Sequence, residues 1–219
     1  MLEYNELIKA NKEYRQKHSR YEKPYRQARK IDWNVIYQFT NSEIRNKVLY
    51  YLNKFGCRIN INLDVVDGIR NAHKKSIPFI DALRNQTLLD INFNKVILIY
   101  CTKFKFSEII ATVFHNFSSI GHRFSHVASS KLLHQINPNL FMMWDNAIIS
   151  TLNLGKKPND YAEEYLPRMK NLLNQMIQRQ MDSQQITRQE AINQLDNIQQ
   201  NKTPPKLLDE YLWIKTRKR

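Results

Sequence analysis

Asp145 stands directly behind the apolar run Leu140, Phe141, Met142, Met143, Trp144 and at the head of a new helical pattern, NAIISTLNL. A carboxylate in that position can cap the helix by accepting hydrogen bonds from its first free N–H groups. Those N–H groups and the helix dipole favour its ionised form, so capping and chemistry can coexist. An ionised carboxylate stabilises developing positive charge and can orient or deprotonate a water. The apolar run before it offers a water-excluding wall, with Phe141 or Trp144 placed to stack on a flat ring or to pack in a core.

The elements that must position Asp145 follow from periodicity. Ser107 opens the helix SEIIATVFHNF, SSIGHR is a polar turn, and FSHVASSKLLHQI is a second helix halted by Asn137–Pro138. Residues 107–155 thus read as helix, turn, helix, irregular stretch and a helix ending at Gly155. A glycine-containing turn between two helices presents backbone N–H groups that bind phosphate without reading sequence. Ser119, Gly121, His122, Arg123 and Ser125 are the candidates for that contact. A carboxylate after the second helix can then face the sugar of a nucleotide extruded from its stack.

The remaining chain predicts more helix. Residues 1–30 carry Lys and Arg at three- and four-residue steps, a basic helical arm with a solvated or phosphate-tracking face. Trp33 to Phe55 reads as one or two amphipathic helices ending at Gly56. Asp64 is placed to cap a helix over Val65, Val66 and Ile69, and Ser76 a second over Phe79, Ile80 and Leu83. LLDINFNKVILIYCTKF is rich in strand formers, but its length and helical neighbours predict helix. Residues 158–183 and 186–200 continue the helical pattern, and Thr203-Pro204-Pro205 introduces a last helix. No linker or repeat divides the chain, so residues 1–219 read as a single all-α unit.

The segment around Asp145 resembles the helix-hairpin-helix DNA glycosylases, in which a hairpin, a helix and an irregular stretch lead to an aspartate that begins the next helix. MMWDNAI matches that stretch, with Asp145 on the catalytic aspartate and Ile148 on the apolar residue after it; SIGHRFSHVASSKLL matches the hairpin. Gly121 stands alone where two glycines are usual, and Asn146 and Ala147 replace the usual residues after the aspartate. The resemblance places His126, 19 residues before Asp145, on the lysine that forms an imine in bifunctional members. Histidine cannot form that imine, which implies a monofunctional enzyme, with Lys131 as the alternative amine. A closer likeness is to bacterial helical proteins with a K-hydrophobic-hydrophobic-H-x-x-N-P-x-L-F-x-x-W/Y-D pattern and a C-terminal L-D-E-Y-x-W helix, matched here by Lys131 to Asp145 and Leu208 to Trp213. The fold implied is an all-α, helix-hairpin-helix glycosylase-like pair of packed helical lobes. The activity implied is excision of a damaged or modified base from duplex DNA, with modified phage DNA and antiphage defence as one setting. A non-catalytic helix-hairpin-helix binding module is the alternative.

Composition narrows the classes. The net charge of +14 predicts a surface that attracts polyanions, nucleic acid first and anionic membrane next. No window approaches the roughly 18 apolar residues of a membrane span, and the charged N-terminus shows no secretory signal. Cys57 and Cys101 are lone thiols that fit a reducing cytosol. Four glycines form neither a GxGxxG nor a Walker loop, and His122 with His126 lacks a third ligand, so no cofactor or metal is expected. A cytoplasmic monomer acting on double-stranded DNA with an extruded base, with no membrane partner, is the combined expectation.

Overall fold

The computed structural model describes residues 2–121, 124–198 and 202–217. Its helices are α1 (Tyr4–Lys17), α2 (Glu22–Ala28), α3 (Asn41–Glu43), α4 (Tyr50–Lys54), α5 (Leu63–Leu83), α6 (Phe106–Ser118), α7 (His126–Ile136), α8 (Asn146–Leu152), α9 (Leu166–Gln184), α10 (Arg188–Asp196) and α11 (Pro204–Thr216). A π-helical segment, Ile44–Leu49, joins α3 to α4, and another, Asp160–Tyr165, leads into α9. Short polar side chains start several of the helices. Thr40 and Thr187 form capping boxes with Glu43 and Glu190, and Asn62, Ser125 and Asp145 cap α5, α7 and α8.

Four local expectations are corrected. Residues 96–105 form an antiparallel hairpin, β1 (Val96–Ile99) and β2 (Thr102–Lys105), where helix was predicted. Tyr100 and Cys101 both take left-handed φ values of 46° and 65°, the geometry of a tight two-residue hairpin turn, so strand propensity prevails over the helical context. Asn62, not Asp64, caps α5, its Oδ1 accepting from Val65 N at 2.9 Å. Ser76 starts no helix; its hydroxyl donates to Ala72 O at 2.8 Å and α5 continues through Pro78. The left-handed residue that ends α8 is Asn153 (φ 52°), ahead of Gly155.

One hydrophobic cluster runs from Leu2 to Ile214, shared by the two expected lobes. Helix α5 lies along α6, Ser76 Oγ accepting from Asn116 Nδ2 at 3.0 Å. Within the basic N-terminal segment, α1 packs along α11, burying Leu7, Ala10, Asn11 and Tyr14. Asn11 Nδ2 donates to Leu207 O at 3.2 Å, binding the two helices through a buried polar contact.

The irregular stretch after α7 is held by Asn137, whose amide donates to Leu83 O (2.8 Å) and Gln86 O (3.0 Å) and whose Oδ1 accepts from Asn139 N (3.1 Å). Asn137→Ala leaves the two carbonyls without that partner and is expected to destabilise the fold by about 2 kcal/mol. Denaturant titration checks this, and a loss below about 0.5 kcal/mol would show that other groups satisfy them.

His134 is fully buried, and burial pushes its pKa down to about 3. The unfolded chain therefore binds a proton at this site from about pH 6.5 downward while the folded chain does not. Stability contributed by neutral His134 is complete above pH 6.5 and is lost as pH falls toward 3, by up to about 1.4 kcal/mol per pH unit. Denaturant titrations at pH 7, 6 and 5 should show this slope, flattened in His134→Gln; equal slopes in the two proteins would rule out His134 as its source.

Candidate functional site

Residues 141–144 adopt neither helix nor strand, yet all four are buried. Their peptide groups must therefore find partners outside regular structure. Side chains supply them in sequence: His134 Nδ1 donates to Phe141 O (2.6 Å), Tyr161 OH to Met142 O (2.7 Å) and Tyr165 OH to Met143 O (2.9 Å). Ser130 Oγ accepts from Trp144 N at 2.9 Å and lies 3.4 Å from Trp144 O. Because His134 Nδ1 carries the donated hydrogen, its Nε2 accepts from Tyr25 OH at 3.0 Å.

Asp145 follows this clamped stretch as the cap of α8. Its Oδ1 accepts from Ala147 N (2.8 Å) and Ile148 N (3.1 Å), and its Oδ2 lies 3.5 Å from Arg217. Asp145 and Arg217 share the wall of a cavity of about 410 Å3, large enough to take a small organic group. Tyr21, Phe55 and Trp213 give it aromatic walls, the first two stacked with centroids 5.3 Å apart. The Arg217 guanidinium lies 4.0 Å over the Trp213 ring, a cation–π contact, and His18 meets that ring edge-on at 4.1 Å.

Lys131 also reaches the cavity, with Nζ donating to Phe55 O at 2.6 Å. At the inner end are Lys206 and Asp209 of α11, whose Nζ and Oδ2 are 2.7 Å apart. Burial opposes the charge on Lys206, but Asp209 and Glu210 outweigh it and hold the ammonium well above the usual lysine range. Burial raises the pKa of Asp209, with Lys206 opposing and the nearby charge of Asp145 adding to the rise. Behind them Lys202 pairs with Glu22 (2.6 Å) and Glu210 (2.7 Å), so a buried charge network anchors α11 beneath the cavity.

The residues singled out in the sequence divide clearly. Asp145 and Lys131 line one cavity. Phe141 and Trp144 do not; they are 1% and 0% exposed, and Trp144 packs among Phe114, Tyr161 and Tyr165. His126 lies off the wall, its Nε2 3.1 Å from Asn146 Oδ1 and its ring 5.9 Å from Trp144; burial lowers its pKa, with the Asn146 contact opposing. In the hairpin turn, Ser119 and Gly121 are exposed, Gly121 has φ 78°, and Ser125 caps α7. His122 and Arg123 lie outside the described residues.

Periodicity did not point to Tyr21, Phe55, Lys206, Asp209 and Arg217 as cavity residues, because they come from elements remote in the chain. The LLDEYLW stretch was the one signal that α11 belongs with Asp145. Among the described residues no three His, Cys, Asp or Glu side chains are grouped to hold a metal ion, and no helix is long and apolar enough to cross a membrane. No family model, curated protein or solved structure matches the chain.

Capping and cavity roles of Asp145 separate by substitution. Asp145→Ala should cost about 1 kcal/mol of stability, whereas Asp145→Asn, which still caps, should lose at most a few tenths. Equal losses measured by denaturant titration would mean that the carboxylate charge, beyond its capping bonds, supports the fold.

Proposed function

We propose that this chain is a DNA glycosylase that hydrolyses the N-glycosidic bond of a damaged or modified base flipped from duplex DNA. The observation that carries the reading is the placement of Asp145 on the wall of an aromatic-lined cavity: one carboxylate oxygen is engaged by the α8 N-terminus, and the other lies 3.5 Å from Arg217, which shares that wall. The net charge of +14 favours the polyanion that would deliver the base, and the exposed Ser119–Gly121 turn offers a phosphate contact.

As the bond from C1′ to the base nitrogen breaks, its electron pair leaves with the base and positive charge builds on C1′ and the ring oxygen. The Asp145 carboxylate faces that charge and accepts a proton from the water that adds to C1′. Tyr21, Phe55 and Trp213 are the rings available to stack on the extruded base, and Arg217 must leave the Trp213 face to admit it. Oxidised, alkylated and hypermodified bases are the substrate classes this reading admits, the last in phage DNA. Lys131, on the cavity wall, is a candidate amine for strand-cleaving chemistry, and its engagement by Phe55 O favours simple hydrolysis.

Base release tests the reading. The protein and its Asp145→Asn form are incubated with duplexes carrying uracil, 8-oxoguanine, alkylated purines or glucosylated hydroxymethylcytosine, then treated with alkali and scored for strand cleavage. Cleavage of a substrate is expected from the parent protein, falling at least about 100-fold in the variant. Cleavage without alkali, abolished by Lys131→Gln, would replace hydrolysis by imine chemistry. Tight DNA binding without release of any base would identify a binding module, a reading favoured by the use of Asp145 as a helix cap.

A further inference from the structure

The β1–β2 hairpin presents a second surface, unrelated to the cavity. Its register pairs Val96 with Lys105 and Leu98 with Lys103, so one face of the ribbon alternates apolar and cationic side chains. The other face is turned inward, with Ile99 buried and Phe104 packed edge-on against Phe79 at 5.5 Å. On the outward face Val96 is 50% exposed and Leu98 67%, and Tyr100 at the turn is 84% exposed. Leu98 and Tyr100 are the two most exposed large hydrophobic side chains among the described residues.

The hairpin itself carries positive charge: residues 91–107 contain Lys95, Lys103 and Lys105 and no acidic residue, with Asp90 and Glu108 immediately flanking and Glu108 Oε2 accepting from Lys105 N at 2.7 Å. At its root, Lys105 and Lys170 line a groove of about 560 Å3 with Asn92 and Asn94, and Glu163 supplies its one carboxylate. Lys170 is held there by donation to Ile91 O at 2.6 Å.

We propose that this face docks on an anionic membrane surface, with Val96, Leu98 and Tyr100 entering the headgroup–acyl boundary and the lysines meeting lipid phosphates. Aliphatic side chains gain by leaving water for that boundary, lysines beside them can extend to the headgroups, and tyrosine is favoured at the interface. A second copy of the chain fits less well, because its hairpin carries the same positive charge. Nucleic acid also fits less well, since Val96 and Leu98 offer a phosphate–sugar backbone nothing. The 13 residues of α6 further place the hairpin about 20 Å from Ser119. The hairpin lies on the surface rather than across it, and this inference stands or falls separately from base excision.

Co-sedimentation of the full chain with vesicles tests it. Binding is expected to vesicles of phosphatidylcholine with phosphatidylglycerol, at least about tenfold weaker to phosphatidylcholine alone, and weakened by salt. Leu98→Asp with Tyr100→Asp should abolish binding, and Leu98→Ser with Tyr100→Ser should reduce it at unchanged circular dichroism and melting temperature. No binding by the parent protein, or equal binding by the Asp variant, would overturn the proposal, the latter assigning attraction to another basic surface. Loss of DNA affinity without vesicle binding would make the hairpin a nucleic-acid contact. A concentration-dependent dimer dissolved by the Asp variant, without vesicle binding, would make it a self-association surface; either result overturns the membrane reading.

Discussion

The carbonyls of four consecutive residues, 141–144, are buried without regular secondary structure, and side chains of the surrounding elements meet them one by one. A buried carbonyl without a partner is expensive, so each group imposes a demand on another element. Helix α7 answers with His134 and Ser130, and the helical stretch entering α9 answers with Tyr161 and Tyr165. These contacts determine where the chain emerges at Asp145. The cap of α8 is thus held from behind by side chains of two elements, a rigid seat for a group whose direction matters.

The second constraint is charge. Lys202, Lys206, Asp209, Glu210 and Glu22 meet beneath the cavity, and taking such groups out of water is favourable only when they are closely paired. That pairing ties α11 to α2. Helix α1 adds the Asn11 contact to Leu207 O and the edge-on packing of Tyr14 on Trp213, 5.5 Å between centroids. The cavity is what these helices leave open between them. Aromatic walls, paired ions and one carboxylate with an oxygen free of the α8 backbone are its chemical inventory.

The cavity and the hairpin lie toward opposite ends of α6. The C-terminus of α6 leads into the 119–125 turn and α7, whose first turns bring Val127 and Lys131 to the cavity. Its N-terminus carries the hairpin, tied back by Phe106 N donating to Lys95 O at 3.1 Å and Ser107 N to Phe93 O at 3.0 Å. Positive charge is distributed over both regions.

Much of the fold is legible because local signals agree: the cap at Asp145, the stop at Asn137–Pro138 and the 3.6-residue apolar spacing each act within a few residues. The helical character of the chain and the cap position of Asp145 belong to that level. The hairpin was misread because Val96 to Ile99 suits a strand or a buried helix equally, and only the turn at Tyr100–Cys101 decides. Phe141 and Trp144 were identified as apolar, but not as core rather than cavity, since that depends on Phe114, Tyr161 and Tyr165 arriving from elsewhere. Sequence alone determined a basic, helical chain with a carboxylate at a helix start. Tertiary structure decided what faces that carboxylate, because Tyr21, Phe55, Trp213 and Arg217 converge on it only after burial of apolar surface and pairing of buried charges have docked α11.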